Sequence, residues 1–220
     1  MSLLEALIKV SDSDFDTPII LTLLREHGNQ MHDVLEYQPV LQHPLGFQQM
    51  RLGELSGRTV RLHFWRSESF RPGYPYWPVH AHAYSLRSQV LCGVVHQTVY
   101  HIDSTPDAPT HRVYEVDYDS RGSTRRPTEQ LVNAVPARSY ICSAGSRYDI
   151  PTSEYHQTTP HASPAITLVI TGYPDGSLSR VLGDVTGPAA HDYPSVLVGD
   201  GLRSACVREL RRLLSRHEPC

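Results

Sequence analysis

The chain has 220 residues, of which 40% are hydrophobic and 20% are charged, and its formal net charge is −3. This composition is that of an ordinary globular protein. It has no basic excess that would indicate a nucleic-acid partner, and no apolar stretch approaches the 18 residues of a membrane span. The four cysteines form no C-x-x-C motif, which argues against a zinc ribbon or a redox pair. Because the N-terminal sequence lacks the features of a signal peptide, we expect a cytoplasmic location.

Residues 1–45 are predicted to form a helical N-terminal extension. Apolar residues recur at helical spacing in the segment 2–9, at Leu3, Leu4, Leu7 and Ile8. A second helix is predicted to begin with Thr17 as its N-cap and Pro18 at its first position. Gly28 is suited to end that helix.

Residues 46–175 show a different pattern, in which short β-rich runs alternate with turn residues, as in a sandwich or barrel. The predicted strands are 47–52, 59–65, 79–84, 88–102, 112–118, 138–143 and 165–171. The polar segment 119–127 is predicted to be a surface loop. Residues 176–220 are predicted to be a C-terminal extension with an amphipathic helix at 200–216. Since neither a repeat nor a second core is evident, we expect one domain spanning residues 1–220.

Two histidines, His80 and His82, lie one residue apart in the sequence WPVHAHAYS (77–85). In a strand, residues i and i+2 point to the same side, so the two imidazoles project together. Imidazole binds several transition metals, so the pair can supply two ligands to one ion. A third ligand must come from elsewhere, and His156 and His161 both precede a strongly apolar run further along the chain.

The order of these features resembles the cupin superfamily over about residues 47–175. Within that superfamily, MRLGELSGRTVRLHFW (50–65), HAHAYS (80–85) and SPAITLVITGYP (163–174) resemble segments of the thiol dioxygenases, such as cysteine dioxygenase. The resemblance implies a mainly β fold, namely a cupin barrel (a double-stranded β-helix, or jelly roll) with N-terminal helices and a C-terminal amphipathic helix.

The resemblance also implies a ligand set. The first cupin motif matches His80 and His82, but Leu86 or Arg87 stands where most cupins have a glutamate. The histidine of the second motif matches His156, with His161 as the alternative. The implied site therefore consists of three imidazoles, as in the thiol dioxygenases.

Carried over residue by residue, the resemblance places Arg51 where thiol dioxygenases bind the substrate carboxylate, a task suited to a guanidinium group. It places Trp65 on the wall of the site. Alternation along TVRLHFW sets Arg61, His63 and Trp65 on one strand face and apolar residues on the other. If the polar face looks into the barrel, Arg61 and His63 belong to the site; otherwise they face water.

The chain departs from cysteine dioxygenase on the last core strand. Thr167, Val169 and Thr171 stand where that enzyme has its Ser-x-His-x-Tyr arrangement. Tyr84, Tyr148 and Tyr155 are the candidates for supplying a phenol from another direction, and Tyr84 and Tyr148 are also expected to contact the substrate. No catalytic acid or base is assigned from the sequence.

These features give three hypotheses about function. The first is an enzyme, a three-histidine non-haem iron oxygenase, which acts on a small amino-acid-like or carboxylate substrate. The second is a cupin lyase, isomerase or bond-forming enzyme that uses zinc or another divalent ion without O₂. The third is a non-catalytic cupin that binds a small ligand.

The expected cofactor is a divalent metal, with Fe(II) first and zinc, copper or nickel as alternatives. Glu154 and Asp149 are candidate partners for orienting the ligating imidazoles. The expected partner is a small-molecule substrate rather than nucleic acid or membrane, and a homodimer is the assembly expected if the chain associates.

Overall fold

The computed structural model describes the backbone of residues 1–13, 16–104 and 107–215, and within them every side chain except those of residues 162 and 163. Helices lie towards both ends of the chain and strands lie between them. The helices are α1 (Leu3–Ser11), α2 (Thr17–Glu26), α3 (Gly28–Tyr37) and α4 (Asp200–Ser215), with a 3₁₀ turn at Ser67–Ser69. None of the helices described is both long and apolar enough to cross a membrane.

Local sequence explains where the first helices begin. Ser2 caps α1: its hydroxyl accepts a bond from the Glu5 amide, and its own amide donates to the Glu5 carboxylate at 2.7 Å. Asp16, rather than the predicted Thr17, caps α2 through a bond of 2.9 Å to a backbone N–H of the first turn. α2 ends at Glu26 with His27 as its C-cap, directly before Gly28 as predicted. Gly28 also begins a third helix, α3, whose apolar residues Met31 and Leu35 are buried.

The strands form an antiparallel barrel. They are β1 (Val40–Gln42), β2 (Gln48–Leu55), β3 (Arg58–Trp65), β4 (His80–Ala81), β5 (Leu86–Asp103), β6 (His111–Asp119), β7 (Gly122–Ser143), β8 (Arg147–Ile150), β9 (His156–Thr171), β10 (Ser179–Gly183), β11 (His191–Pro194) and β12 (Val196–Leu197). Pairing runs in a closed ring from β9 through β4, β10, β6, β7 and β5 back to β9. β3, β2, β1 and β12 extend the sheet from β9. This confirms the predicted mainly β barrel with helices at its ends.

The barrel extends beyond the predicted range of 46–175. β10 pairs with both β4 and β6, so a strand from the predicted C-terminal extension completes the ring. The predicted loop at 119–127 is wrong: it contains the hairpin turn between β6 and β7 and the first residues of β7. The predicted helix at 200–216 corresponds to α4, and residue 216 itself lies outside the described residues.

The two faces of β3 are separated by the packing of the helices. Val60, Leu62 and Phe64 are fully buried, in one apolar cluster with residues of α1, α2 and α4. Each such side chain contributes roughly 2 kcal/mol when it leaves water. Since these residues face the helices, the alternate residues Arg61 and His63 must face the interior of the barrel. This decides between the two orientations that the sequence allowed.

Candidate metal centre

The three predicted ligands converge inside the barrel. His80 on β4 pairs directly with His156, the first residue of β9. The predicted strand at 79–84 has only two residues in strand conformation, so His82 lies just beyond it. The centroid of its ring is nevertheless 4.8 Å from the ring centroid of His80 and 5.2 Å from that of His156. One potential ligand atom from each histidine lies within 4.8 Å of the other two.

Backbone carbonyls orient two of the imidazoles. Nδ1 of His80 lies 2.9 Å from the Pro78 carbonyl oxygen, and Nδ1 of His156 lies 3.0 Å from that of Glu154. A carbonyl oxygen only accepts, so each Nδ1 carries the proton and each Nε2 has a free lone pair. Nδ1 of His82 is buried and has no hydrogen-bond partner among the described residues. Two free Nε2 atoms beside a third, imperfectly satisfied imidazole suit a bound metal ion.

The predicted role of two carboxylates is not what the structure shows. Glu154 orients His156 through its backbone, while its carboxylate lies 3.5 Å from Arg138. The carboxylate of Asp149 pairs instead with Arg87 at 3.2 Å. The histidine group itself therefore contains imidazoles and no carboxylate.

Burial keeps the three imidazoles neutral. It lowers the pKa of His156 to about 4, and it is also the largest cause that lowers the pKa values of His80 and His82. The neighbouring histidines lower the pKa values of His80 and His82 further, because two imidazolium charges would repel at this distance. At neutral pH all three groups are neutral imidazoles, the form that ligates metals through its unprotonated nitrogen.

The histidines open onto a cavity of about 560 Å³. Its walls include the inward residues of β2 and β3, together with aromatic and cationic side chains from β6, β7 and β11. A cavity of this size suits a small-molecule ligand. The three imidazoles and the inward face of β3 therefore belong to one site.

Among the residues predicted to contact substrate, His63 and Trp65 lie on the cavity wall. Nε2 of His63 is buried and unpartnered among the described residues, and burial with the nearby charge of Arg61 lowers its pKa to about 3. The ring of Trp65 is buried, and its N–H donates to the hydroxyl of Thr167 at 3.2 Å. The Nε2 atom of His63 is thus sealed within the wall, and the polar atom of Trp65 already has a partner there.

The two tyrosines predicted to contact the substrate also line this cavity. Tyr84 stacks on His82, with ring centroids 5.0 Å apart and an angle of 14° between the planes. Tyr148 is buried, and that burial raises its pKa well above the usual range for a phenol. Tyr148 therefore keeps its proton at neutral pH and can donate a hydrogen bond.

Two other predicted residues are less suited to the site. Arg51 reaches the cavity, but half of its side chain is exposed and its guanidinium is paired with Glu54. His161 is exposed and its ring lies 6.3 Å from that of His96, away from the three-histidine group. The structure therefore places His156, and not His161, beside the H-x-H pair.

The cavity residues that sequence reasoning missed include His43, Tyr118 and Arg125. His43 stacks on Phe47 at 4.2 Å, and its Nδ1 accepts a bond from a backbone amide. Tyr118 and Arg125 come from the segment around the β6–β7 hairpin. Only strand alternation could have identified Arg125, and the predicted loop at 119–127 concealed it.

No protein-family model and no curated protein matches this chain. Solved structures similar to parts of it include a hydroquinone 1,2-dioxygenase from Sphingomonas sp. TTNP3 with 4-hydroxybenzoate bound (13% identity, TM-score 0.37, 56% of this chain and 64% of that one). A hydroxypropylphosphonic acid epoxidase from S. wedmorenis matches with 11% identity and a TM-score of 0.36, over 63% of this chain and 56% of that one. The DMSP lyase DddQ from Ruegeria pomeroyi DSS-3 matches with 12% identity and a TM-score of 0.37, over 79% and 75%.

The chain thus spans less than two thirds of the length of the dioxygenase and the epoxidase. With TM-scores below 0.5, these similarities carry no argument about the fold or the reaction of this chain. A closed antiparallel barrel with three imidazoles converging in its interior is the arrangement that a three-histidine cupin requires, and the structure confirms it. Such a site is compatible with a metal-dependent enzyme.

Proposed function

We propose that the protein is a metal-dependent enzyme whose divalent ion is held by His80, His82 and His156. The observation that carries this proposal is the convergence of three neutral imidazoles on a cavity of about 560 Å³. Two of these have their Nδ1 atoms bonded to carbonyl oxygens, which leaves Nε2 free for the ion. Fe(II) is the metal we propose first.

Three neutral ligands leave the charge of the ion uncompensated and several coordination positions open, so Fe(II) would supply a site where O₂ and substrate can be activated together. The chain's own residues would orient the substrate and limit its access to water. Tyr148 can donate a hydrogen bond to a substrate acceptor without losing its proton, because burial raises its pKa. On these grounds we propose an oxygenase that acts on a small amino-acid-like or carboxylate substrate.

Metal analysis of the purified protein tests the ligand set. Protein prepared without oxygen and loaded with Fe(II) is expected to retain close to one ion per chain. His156→Ala is expected to lose that ion, because it removes the ligand that pairs across from His80. His161→Ala removes an exposed histidine outside the group and is the matched control. Full iron retention by folded His156→Ala would contradict the proposed site.

Oxygen consumption tests the reaction class. Fe(II)-loaded protein is expected to consume O₂ when mixed with members of a panel of small amino and carboxylic acids, and the zinc-loaded protein is not. If the protein retains iron but consumes no O₂ with any member of a broad panel, the oxygenase proposal is overturned while the metal site remains.

A non-oxidative reaction with zinc or another divalent ion is the second candidate. It is favoured because the positions whose side chains are polar in cysteine dioxygenase have no free polar group in this chain. Here Thr167 bonds Trp65, Val169 has no polar atom, and Thr171 accepts the Thr59 amide at 2.8 Å. The phenols of Tyr84 and Tyr148 line the cavity and would instead supply hydrogen bonds to the substrate. Tight zinc binding with turnover that needs no O₂ would favour this candidate, whereas a chain that binds no metal would indicate a ligand-binding cupin.

A further inference from the structure

Arg125 is a buried cation without an acidic partner. It lies on β7, only 5% of its surface is exposed, and it lines the same cavity as the three histidines. Its guanidinium lies 3.7 Å from the centre of the Tyr193 ring, and one of its N–H groups donates to the Tyr193 hydroxyl at 2.8 Å. No carboxylate in the described part of the chain forms an ion pair with it. Buried charges are normally paired, so this one needs an explanation.

The remaining N–H groups of Arg125 are available to a ligand. A guanidinium group has five N–H donors in a planar fork, and the recorded protein bond uses one of them. The Arg125 nitrogens that make no protein hydrogen bond are not sealed from solvent. Since Arg125 lines the cavity, a ligand there can reach them. The ring of Tyr193 covers one face of the group, which fixes the direction of the fork.

A second guanidinium without an acidic partner, that of the half-buried Arg61, lies on another wall. Arg61 projects inwards from β3, and its Nε donates to the Thr59 hydroxyl at 3.1 Å. It too forms no ion pair among the described residues, in contrast to Arg51, which pairs with Glu54. Both Arg61 and Arg125 act on His43, whose pKa is lowered by burial, by His63 and then by these two charges. The two guanidinium groups therefore lie within electrostatic reach of one cavity residue.

The charge balance of the cavity points to an anion. Arg180, also in the wall, faces Glu115 at 4.0 Å, and Asp119 is bonded by Arg121 at 3.0 Å. The two uncompensated charges are thus those of Arg61 and Arg125, and both are positive. Since a guanidinium matches a carboxylate or phosphate in a bidentate pair, two of them can hold two acid groups.

We propose that the cavity binds a small organic acid with two anionic groups, and that Arg125 and Arg61 are the residues that bind those groups. This deepens the proposed function, on which it rests for the identification of the cavity as a substrate site. It also replaces Arg51, the residue that the sequence suggested for a carboxylate. Arg125 would set specificity by charge and direction, and Arg61 would bind the second acid group from β3.

Isothermal titration of the full chain with dicarboxylates tests this, at constant ionic strength and with metal-free protein from which the chelator has been removed by dialysis, so that neither metal nor chelator contributes. The probes are succinate, glutarate and adipate, each compared with its monoamide and its diamide, which match it in length but carry one charge or none. At least one dicarboxylate is expected to bind 10-fold or more tightly than its diamide, with the monoamide between them. If no dicarboxylate binds more tightly than its diamide, the proposal is overturned.

Variants then assign the two groups. Arg125→Gln and Arg61→Gln are each expected to weaken binding of the preferred dicarboxylate about 10- to 100-fold, as loss of a charge-assisted contact does. Arg126→Gln is the matched control, since Arg126 neighbours Arg125 on β7 but is exposed and pairs with Asp117. Arg125→Lys keeps the charge and is expected to retain part of the affinity. Unchanged affinity in either folded Gln variant would exclude that arginine.

The two proposals can fail separately. A protein that binds dicarboxylates in the metal-free titration but retains no metal when loaded would keep the anion site and lose the metal-dependent function. A protein that retains iron at His80, His82 and His156 but does not distinguish charged from neutral probes would keep the metal site and lose the anion site.

Discussion

Acid is expected to destabilise the metal-free protein, because several buried histidines must be neutral for the chain to fold. The pKa of His63 falls from 6.5 to about 3 and that of His156 from 6.5 to about 4 on folding, chiefly through burial. The unfolded chain therefore binds protons first as the pH falls. Stability from these groups is fully present above about pH 6.5 and is lost as the pH falls towards the folded-state values.

The size of the loss follows from the two pKa values. At pH 5, each of His63 and His156 lowers the free energy of unfolding by about 2 kcal/mol relative to neutral pH. His43, His80 and His82 act in the same direction, since burial lowers their pKa values as well. A loss of at least about 4 kcal/mol is a large part of a total stability of roughly 5–15 kcal/mol.

Urea unfolding followed by circular dichroism, in EDTA at several pH values from 7 to 5, measures this dependence. We expect His63→Gln to reduce the slope of unfolding free energy against pH by about 1 kcal/mol per pH unit averaged from pH 7 to 5, rising towards the roughly 1.4 kcal/mol per unit of one proton near pH 5. His161→Gln controls for the loss of an exposed histidine. Constant stability from pH 7 to pH 5, or an unchanged slope in His63→Gln, would refute the reasoning.

Three further predictions concern packing, and urea unfolding at neutral pH measures all of them. Gly93→Ala should destabilise more than Gly57→Ala: both have φ near +77°, but a Cβ at Gly93 would lie 2.4 Å from the Pro164 carbonyl oxygen and one at Gly57 meets nothing within 4 Å; equal costs would contradict this. Trp65→Phe should cost about 1 kcal/mol by leaving a threonine hydroxyl of β9 without its donor, and no loss would show that the bond is replaced. Arg58→Met should cost about 2 kcal/mol, because Arg58 donates to the half-exposed carboxylate of Asp12 at the end of α1 and to a carbonyl of β9. Salt should reduce this cost by screening the ion pair, and an Arg58→Met variant as stable as the unmodified protein would contradict the prediction.

The metal ligands could be predicted because their placement depends on short-range geometry and one strand pair. The Nδ1 bonds of His80 and His156 both go to the carbonyl two residues earlier, so each chain segment orients its own ring. His82 needs only its spacing from His80 to project to the same side. The choice of His156 over His161 depends on the register of β9 against β4, and the cupin resemblance supplied that register.

The anion site could not be predicted in the same way. Arg125 and Arg126 are adjacent in a polar run, and nothing in that run says which of them faces inwards. Their assignment depends on the β6–β7 hairpin and on β11, about 68 residues away, whose Tyr193 covers Arg125. Long-range pairing of this kind leaves no local signal, and a polar run of seven or eight residues is therefore easily taken for a loop.

The orientation of β3 connects the fold to the chemistry. Its apolar face is required by the helices, which bury Val60, Leu62 and Phe64, and a shift by one residue would bring Arg61 and His63 under those helices instead. The hydrophobic cover on the outside therefore forces polar groups into the cavity, where burial makes an unpaired cation costly. A bound acid would remove that cost for Arg61 and Arg125. The neutral imidazoles would leave the positive charge of a bound metal ion uncompensated, so an anionic substrate would complement both the arginines and the ion.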